Sequence, residues 1–344
     1  MVKNINPRVE LISFMRGFFV CPIISFLHTH NLIEKIINTE FNANSFKIIK
    51  NKFFFDKILF YLASLGLLSV LKNKKKFKVT NIGKKIFLRS GSFLILHSYK
   101  PYVNELAKNL TKKRTMAISC NRAENVVGSG STNNKKFFPS AIDLVKKEKI
   151  GLLADIGCGD GNFLLQVSKK FPSASIFASD ISKIAVDASK KKLKTSLSKK
   201  KHYLVCDAAN VKKWAKEINK IKIEKNSKIL ISVWYILHEI SRNNPNNVIN
   251  FFLQIKKYIP KSILLIGEIT KFDSGIMALN KSTSIMPEFL FFHELSGQGV
   301  LKYEDYDSIL KKIPYKLEKQ IKFDLIKIKN KSIPSAFIWL LKNN

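Results

Sequence analysis

The stretch that most constrains this chain is residues 152–163, LLADIGCGDGNF. An apolar run ends at Asp155, glycines follow at alternate positions (Gly157, Gly159, Gly161), and a helical pattern begins near Asn162. Glycine lets a backbone turn sharply and approach a ligand closely, and a helix start presents free N–H groups. A strand–glycine loop–helix unit of this kind belongs in a parallel sheet. The rest of the C-terminal half agrees: SIFASD, HYLVCD, KILISVWY and SILLIGE are apolar runs separated by helical segments. That alternation predicts an α/β fold with helices on both faces of a mostly parallel sheet.

Two of these runs end in acids. SIFASD places Asp180 at the end of the second strand, and HYLVCD places Asp207 after the third. One such Asp reads as a helix cap. Three at successive strand ends, counting Asp155, read as a ligand site. The glycine spacing, D-x-G-x-G-x-G, departs from the G-x-G-x-x-G of dinucleotide-binding domains. It resembles motif I of the Rossmann-like S-adenosylmethionine methyltransferases. The resemblance implies a seven-stranded, mostly parallel sheet and S-adenosylmethionine as cofactor. It also implies roles: Asp155 and the loop Gly157, Gly159 and Gly161 for the methionine part, Asp180 for the ribose hydroxyls, Ile181 for the adenine face. Asp207 and Ala208 would serve the adenine amino group, with Trp234 also on the cofactor.

The N-terminal part is different in kind. Residues 14–27 are apolar and helical in character, and Leu32, Ile33, Ile36 and Ile37 sit at helical spacing. Residues 53–68 predict an amphipathic helix stopped near Gly66; two short strands around a lysine-rich turn and a helix start at Asn81 follow. Helices followed by a two-stranded wing describe a winged helix. LASLGLLSVLKNKKKFKVTNIGKKIF resembles the N-terminal dimerisation domain of small-molecule O-methyltransferases, which implies a homodimer. The expected division is a winged-helix dimerisation domain over 1–92, linking helices and an active-site loop over 93–148, and the methyltransferase domain over 149–344. Within the middle part, ENVVGSGSTNN is expected to be a loop, either covering the site or serving as a passive connection.

The apolar stretch 17–27 falls short of the roughly 20 residues a bilayer crossing needs, and is expected to be a buried helix rather than a span or a signal peptide. Cys21, Cys120, Cys158 and Cys206 are scattered without a CxxC pair, which suits a reducing cytosol; a cytoplasmic location is expected. The net charge is +35, from 60 Lys+Arg against 25 Asp+Glu. Most of the cations are Lys, spread along a chain also rich in Asn, Ile and Phe, and no basic cluster is interleaved with aromatics for base stacking. The charge therefore reads as compositional drift, and no nucleic-acid partner is expected.

The residues after the fourth strand should face the transferred methyl group, because ligands in open parallel sheets sit at the C-terminal strand ends. Here they are SVWYILHEIS. The Asn/Asp-Pro-Pro-aromatic motif of nucleic-acid amino methyltransferases is absent. ILHEI is similar to the LHDW segment of small-molecule O-methyltransferases, whose His is a general base; His238 matches it. MPEFLFFHELSGQGV and the VGSGS run at 127–131 resemble the α-keto acid C-methyltransferases of the 2-ketoarginine and phenylpyruvate type. That resemblance implies a zinc or iron ion held by His238, Glu239 and His293. Neighbouring strand side chains point opposite ways, so His238 and Glu239 are expected on a loop after the strand, with Glu294 as a substitute ligand; Gln298 either touches the substrate or belongs to a glycine turn. The metal would acidify the carbon beside the ketone.

The leading expectation is thus metal-dependent C-methylation of an α-keto acid in specialised-metabolite biosynthesis. The alternatives are metal-free O-methylation with His238 as base, and a winged-helix DNA-binding regulator. Arg114 and Arg122 are expected to be solvated surface residues, with the holding of a substrate carboxylate as the alternative.

Overall fold

The computed structural model describes residues 7–71, 76–111, 120–134, 136–198, 200–242, 244–272, 286–295, 299–323, 326–328 and 331–343. In the N-terminal part, α1 (Pro7–Thr29), α2 (Leu32–Ile36) and α3 (Lys52–Ser64) precede the hairpin of β1 (Leu68–Val70) and β2 (Phe77–Val79), and α4 (Asn81–Phe87) follows it. Ile24, Leu27, Leu32, Phe55, Leu59, Leu62, Phe77 and Phe87 build its core. Thr80 caps α4: its hydroxyl oxygen accepts the Gly83 N–H at 3.0 Å, and its O–H donates to the Gly66 carbonyl at 2.7 Å. A Cβ on Gly83 would lie 2.0 Å from the Leu67 carbonyl oxygen, and Gly66 has φ +73°. The L-x-x-x-G-L-L and T-x-x-G patterns are therefore the cap and close contact that lock the hairpin to α4.

α1 corrects one expectation. Only its last two turns enter the core, through Ile24, Ser25 and Leu27; Phe14 and Phe18 are 76% and 75% exposed. The apolar window is also longer than 17–27. Residues Leu11–Thr29 are long and apolar enough, by length and composition, to cross a membrane. Arg16, inside this window, had broken the uncharged run in the sequence.

The middle helices are α5 (Ser90–Ser98), α6 (Lys100–Leu110), α7 (Arg122–Asn133) and α8 (Phe137–Val145). The expected glycine-rich loop is helix α7, capped by the Asn121 side chain. Interior glycine costs a helix about 1 kcal/mol against alanine, but close packing requires it here. A Cβ on Gly128 would lie 2.8 Å from the Gly91 carbonyl oxygen, and one on Gly91 would lie 2.7 Å from that of Gly128. The glycines bring α5 and α7 into backbone contact.

The C-terminal part is the expected layered α/β unit. Its strands are β3 (Ile150–Ile156), β4 (Ser175–Asp180), β5 (Lys201–Val205), β6 (Lys228–Trp234), β7 (Ser262–Ile269), β8 (Tyr315–Phe323) and β11 (Ala336–Asn343), ordered β5-β4-β3-β6-β7-β11-β8. β11 runs antiparallel to both neighbours, and the first five are parallel. The strand order reverses at β3, which places a ligand crevice at its C-terminal end. Helices α9 (Asn162–Lys170), α10 (Lys183–Lys192), α11 (Val211–Asn219), α12 (Leu237–Ser241), α13 (Pro245–Tyr258), α14 (Met286–Leu295) and α15 (Tyr303–Leu310) surround the sheet. Trp214, Phe252 and Tyr306 cover one face of it, and Phe138, Phe163 and Leu164 the other. The short hairpin of β9 (Ile326–Ile328) and β10 (Lys331–Ile333) lies between β8 and β11 in the chain.

Candidate active site

The glycine loop closes over the C-terminal end of β3. Gly157, Gly159 and Gly161 have φ of +80°, +53° and +78°, conformations that favour glycine. The N–H groups of Gly157 and Cys158 both donate to the Ser179 carbonyl, at 2.7 and 2.8 Å. Gly159 N–H donates to Asp180 Oδ2 at 3.0 Å, and Ser182 N–H to Asp180 Oδ1 at 2.8 Å. Burial pushes the Asp180 carboxyl up in pKa against these two bonds. Asp160, also buried, accepts from Asn162 Nδ2 at 2.8 Å and pairs with Lys192. Helix α7 lies against this loop: a Cβ on Gly130 would lie 2.7 Å from Asn162 Nδ2 and 2.9 Å from Asp160 Oδ1.

Asp155 is fully buried. It accepts the Ser232 hydroxyl at 2.6 Å through Oδ1, and its Oδ2 has no hydrogen-bond partner. Burial, with Asp180 nearby, pushes it up to about 7 against the Ser232 bond. An orphan carboxylate oxygen bordering a cavity is an acceptor awaiting a donor. Ile181 is 53% exposed, Asp207 is exposed at the rim, and the Ala208 carbonyl takes the indole N–H of Trp214 at 2.9 Å. Trp234 also borders the cavity, but its ring sits among Phe137, Phe138 and Phe163 with centroids 5.7, 5.4 and 4.6 Å away.

All the expected cofactor-binding and catalytic residues with described side chains, except Gly161, line one cavity of about 930 Å³; Gly161 is the left-handed residue that starts α9. The cavity is large enough for a drug-sized ligand and more. At its far end lies His238, in the first turn of α12 and 3% exposed. Its Nδ1 is 2.9 Å from Glu268 Oε1, and its backbone N–H donates to Glu268 Oε2 at 3.2 Å. Glu268 is wholly buried near the end of β7. Burial alone would lower the pKa of His238; the Glu268 charge and hydrogen bond outweigh it and hold the imidazole above its ordinary value. Sequence reading missed Glu268. Its signal was present, as the single charged residue in the buried run SILLIGEI.

His293, on α14, is also 3% exposed, and its ring centre is 5.1 Å from that of His238. Tyr99 lies 6.1 Å from His293 and stacks on Phe292 at 4.7 Å. The structure thus brings the two histidines together. The expected third ligand does not complete a set: among the described residues, no group of three or more His, Cys, Asp or Glu is arranged to hold a metal. The His-Glu pair was expected on a loop after the strand but lies on helix α12, where successive side chains point about 100° apart. Arg122 is exposed, as expected, and borders the cavity, where its charge acts on Asp180. Arg114, Gln298 and the Glu294 side chain lie outside the described residues.

The family profile described as "Methyltransferase domain" matches residues 153–249. No curated protein matches the chain in sequence. Among solved structures, an O-methyltransferase family protein from Burkholderia thailandensis is similar over 99% of both chains, with a TM-score of 0.61 and 13% identity. Human N-acetylserotonin methyltransferase in complex with SAM is similar over 100% of both chains, with a TM-score of 0.61 and 13% identity. An N,N-8-amino-8-demethyl-D-riboflavin dimethyltransferase from Streptomyces davawensis is similar over 99% of this chain and 100% of its own, at 0.56 and 12%. At these identities the likeness is one of fold, over the N-terminal helices as well as the sheet. The chain carries a methyltransferase domain at 153–249, within a whole-length methyltransferase fold.

Proposed function

We propose that this protein moves a methyl group from S-adenosylmethionine to a hydroxyl oxygen of a small molecule, with His238 as general base. The observation that carries the reading is the buried Glu268–His238 pair opening into the cavity that the glycine loop also borders. When bound, S-adenosylmethionine supplies a methyl group on a sulfonium. The chain's own groups do the rest. Asp155, through its orphan oxygen, and the glycine loop hold the methionine part, while Asp180, Ile181, Asp207 and Ala208 hold the nucleoside. Glu268 accepts the Nδ1–H of His238, which leaves Nε2 as the free base. That nitrogen takes the acceptor hydroxyl proton as the oxygen attacks, and Glu268 stabilises the imidazolium that forms. The solved structures named above support a small-molecule acceptor, one of them through an O-methyltransferase title. The test is methyl transfer to a panel of phenols and alcohols. His238→Ala should abolish transfer while S-adenosylhomocysteine still binds. Transfer undiminished in that variant would refute the reading.

The proximity of His238 to His293 favours one second reading, C-methylation of an α-keto acid on a metal ion. There His238 Nε2, His293 and a rotated Glu239 would be the donors, and the ion would acidify the carbon to be methylated. Its test is zinc or iron bound per chain and lost in His238→Ala/His293→Ala, together with turnover of α-keto acids that a chelator stops.

The exposed apolar face of α1, with Phe14, Met15, Phe18 and Phe19, supports a homodimer through the N-terminal part. A contiguous apolar face of this kind is costly to leave in water and suits a second copy.

A further inference from the structure

Five acids line the cavity: Asp155, Asp160, Asp180, Asp207 and Glu239. Four already have partners. Asp155 accepts the Ser232 hydroxyl, Asp160 pairs with Lys192, Asp180 takes two backbone N–H groups, and Asp207 accepts the Ala209 N–H at 2.9 Å. Glu239 is different. It is half-buried, and it makes no hydrogen bond or ion pair among the described residues.

The position of Glu239 separates it from the other four. Those lie on β3, β4 and the loops after β3 and β5, around the glycine loop. Glu239 follows β6, beside the general base, and its charge acts on Tyr99, Cys120 and His238. The acceptor end of the cavity therefore holds two imidazoles, one carboxylate and the aromatic wall of Tyr99 stacked on Phe292. A substrate that filled this end would strip water from Glu239. An unpaired carboxylate resists that, so a substrate bringing its own cation is favoured over one that does not. An aromatic wall suits the same ligand, since ring faces attract cations. The cavity's Arg122 acts on Asp180 and on Cys120, the thiol that the Glu239 charge also reaches, but makes no ion pair with Glu239 among the described residues.

We infer that Glu239 is a specificity-determining residue for an acceptor that carries an amine as well as its hydroxyl. Its carboxylate receives the ammonium while the hydroxyl faces His238. The inference rests on the O-methylation reading and names its substrate class.

The test compares three phenols that share one ring and differ in the charge of the side chain: tyramine, tyrosol and 4-hydroxyphenylacetate. Methyl transfer from labelled S-adenosylmethionine gives kcat/KM for each, in wild type, Glu239→Gln and Glu239→Asp. A hydrogen-bonded charge pair predicts about a tenfold preference of wild type for tyramine over tyrosol. The ratio should fall towards one in Glu239→Gln and return in part in Glu239→Asp. Titration of tyramine into the protein loaded with S-adenosylhomocysteine measures the same pairing without turnover.

Tyramine binding that depends on Glu239, with none of the phenols methylated, would uphold the ammonium site and count against the O-methylation reading. Tyrosol methylated as well as tyramine, with a ratio that Glu239→Gln leaves unchanged, would overturn the inference and keep the reading. Two further results would overturn the inference. In one, Glu239→Gln weakens S-adenosylmethionine relative to S-adenosylhomocysteine, so that the carboxylate serves the sulfonium. In the other, a zinc or iron ion is lost in Glu239→Gln, so that it serves a metal.

Discussion

Replacing Glu268 with Gln tests the proposed base at its buried support. The amide is nearly isosteric, so the space at the end of β7 stays filled. It removes the charge that faces His238 Nδ1 at 2.9 Å, in a site where neither residue meets solvent. A hydrogen bond to a charged group is worth about 1.5–3 kcal/mol. If the pair is that much stronger once His238 carries a proton in the transition state, kcat should fall by roughly 10- to 150-fold. The pH dependence follows from sign. Glu268 raises the His238 pKa, and the base works only when neutral, so activity rises with pH through that raised value. In Glu268→Gln the acid limb of the kcat profile should move to lower pH even as the plateau drops. Stability follows the same linkage. A histidine with a raised folded pKa contributes stability that is fully present below its unfolded value of about 6.5 and lost as pH rises through the folded one. The variant should lack that pH-dependent contribution in thermal melts. The assay is labelled methyl transfer between pH 5.5 and 9 with cofactor binding checked in parallel. An unmoved acid limb, with kcat within threefold of wild type, would refute the dyad.

Other expectations come from separate parts of the molecule. Asp155, pushed up to about 7, must be ionised to accept an ammonium, so S-adenosylhomocysteine should bind more tightly between pH 6 and 8 and release a proton. Calorimetry in two buffers of different ionisation enthalpy measures that release, and a buffer-independent heat would count against it. Gly128→Ala places a methyl group 2.8 Å from the Gly91 carbonyl and 2.9 Å from the Ile95 nitrogen, with a loss of about 1–3 kcal/mol in stability. The cofactor should also bind more weakly, because α7 carries Gly130 against the glycine loop; a melt unchanged from wild type would contradict the packing. On α1, Phe14→Lys/Phe18→Lys should convert a dimer to a monomer in light scattering with little change in melting temperature. A dimer that survives would place the interface elsewhere.

What the sequence determined by itself is what short-range physics dictates. The five parallel strands of the sheet are apolar runs closed by polar residues, and Asp155, Asp180 and Asp207 are legible because a strand's end and a ligand crevice coincide in any parallel sheet. The glycines of the loop after β3 are likewise forced locally, by three positive φ angles within five residues. Tertiary structure decided what depends on a distant partner. The glycines at 128 and 130 read as a loop because local propensity disfavours them in a helix. The backbone of Gly91 and the side chains of Asp160 and Asn162 make them necessary, and those contacts span roughly 30 residues of chain. The exposure of α1 escaped reading for a related reason: an apolar stretch looks the same whether it meets its own core or another surface. The chemistry at His238 was half legible. The imidazole could be placed at the site from its motif, but Glu268, thirty residues on in β7, faces its Nδ1 and raises its pKa. Nor could the backbone carrying Glu239 be foreseen. Glu239 lies with His238 on a short helix where a loop was expected, and successive side chains there point about 100° apart, because side-chain direction follows backbone geometry and not sequence adjacency.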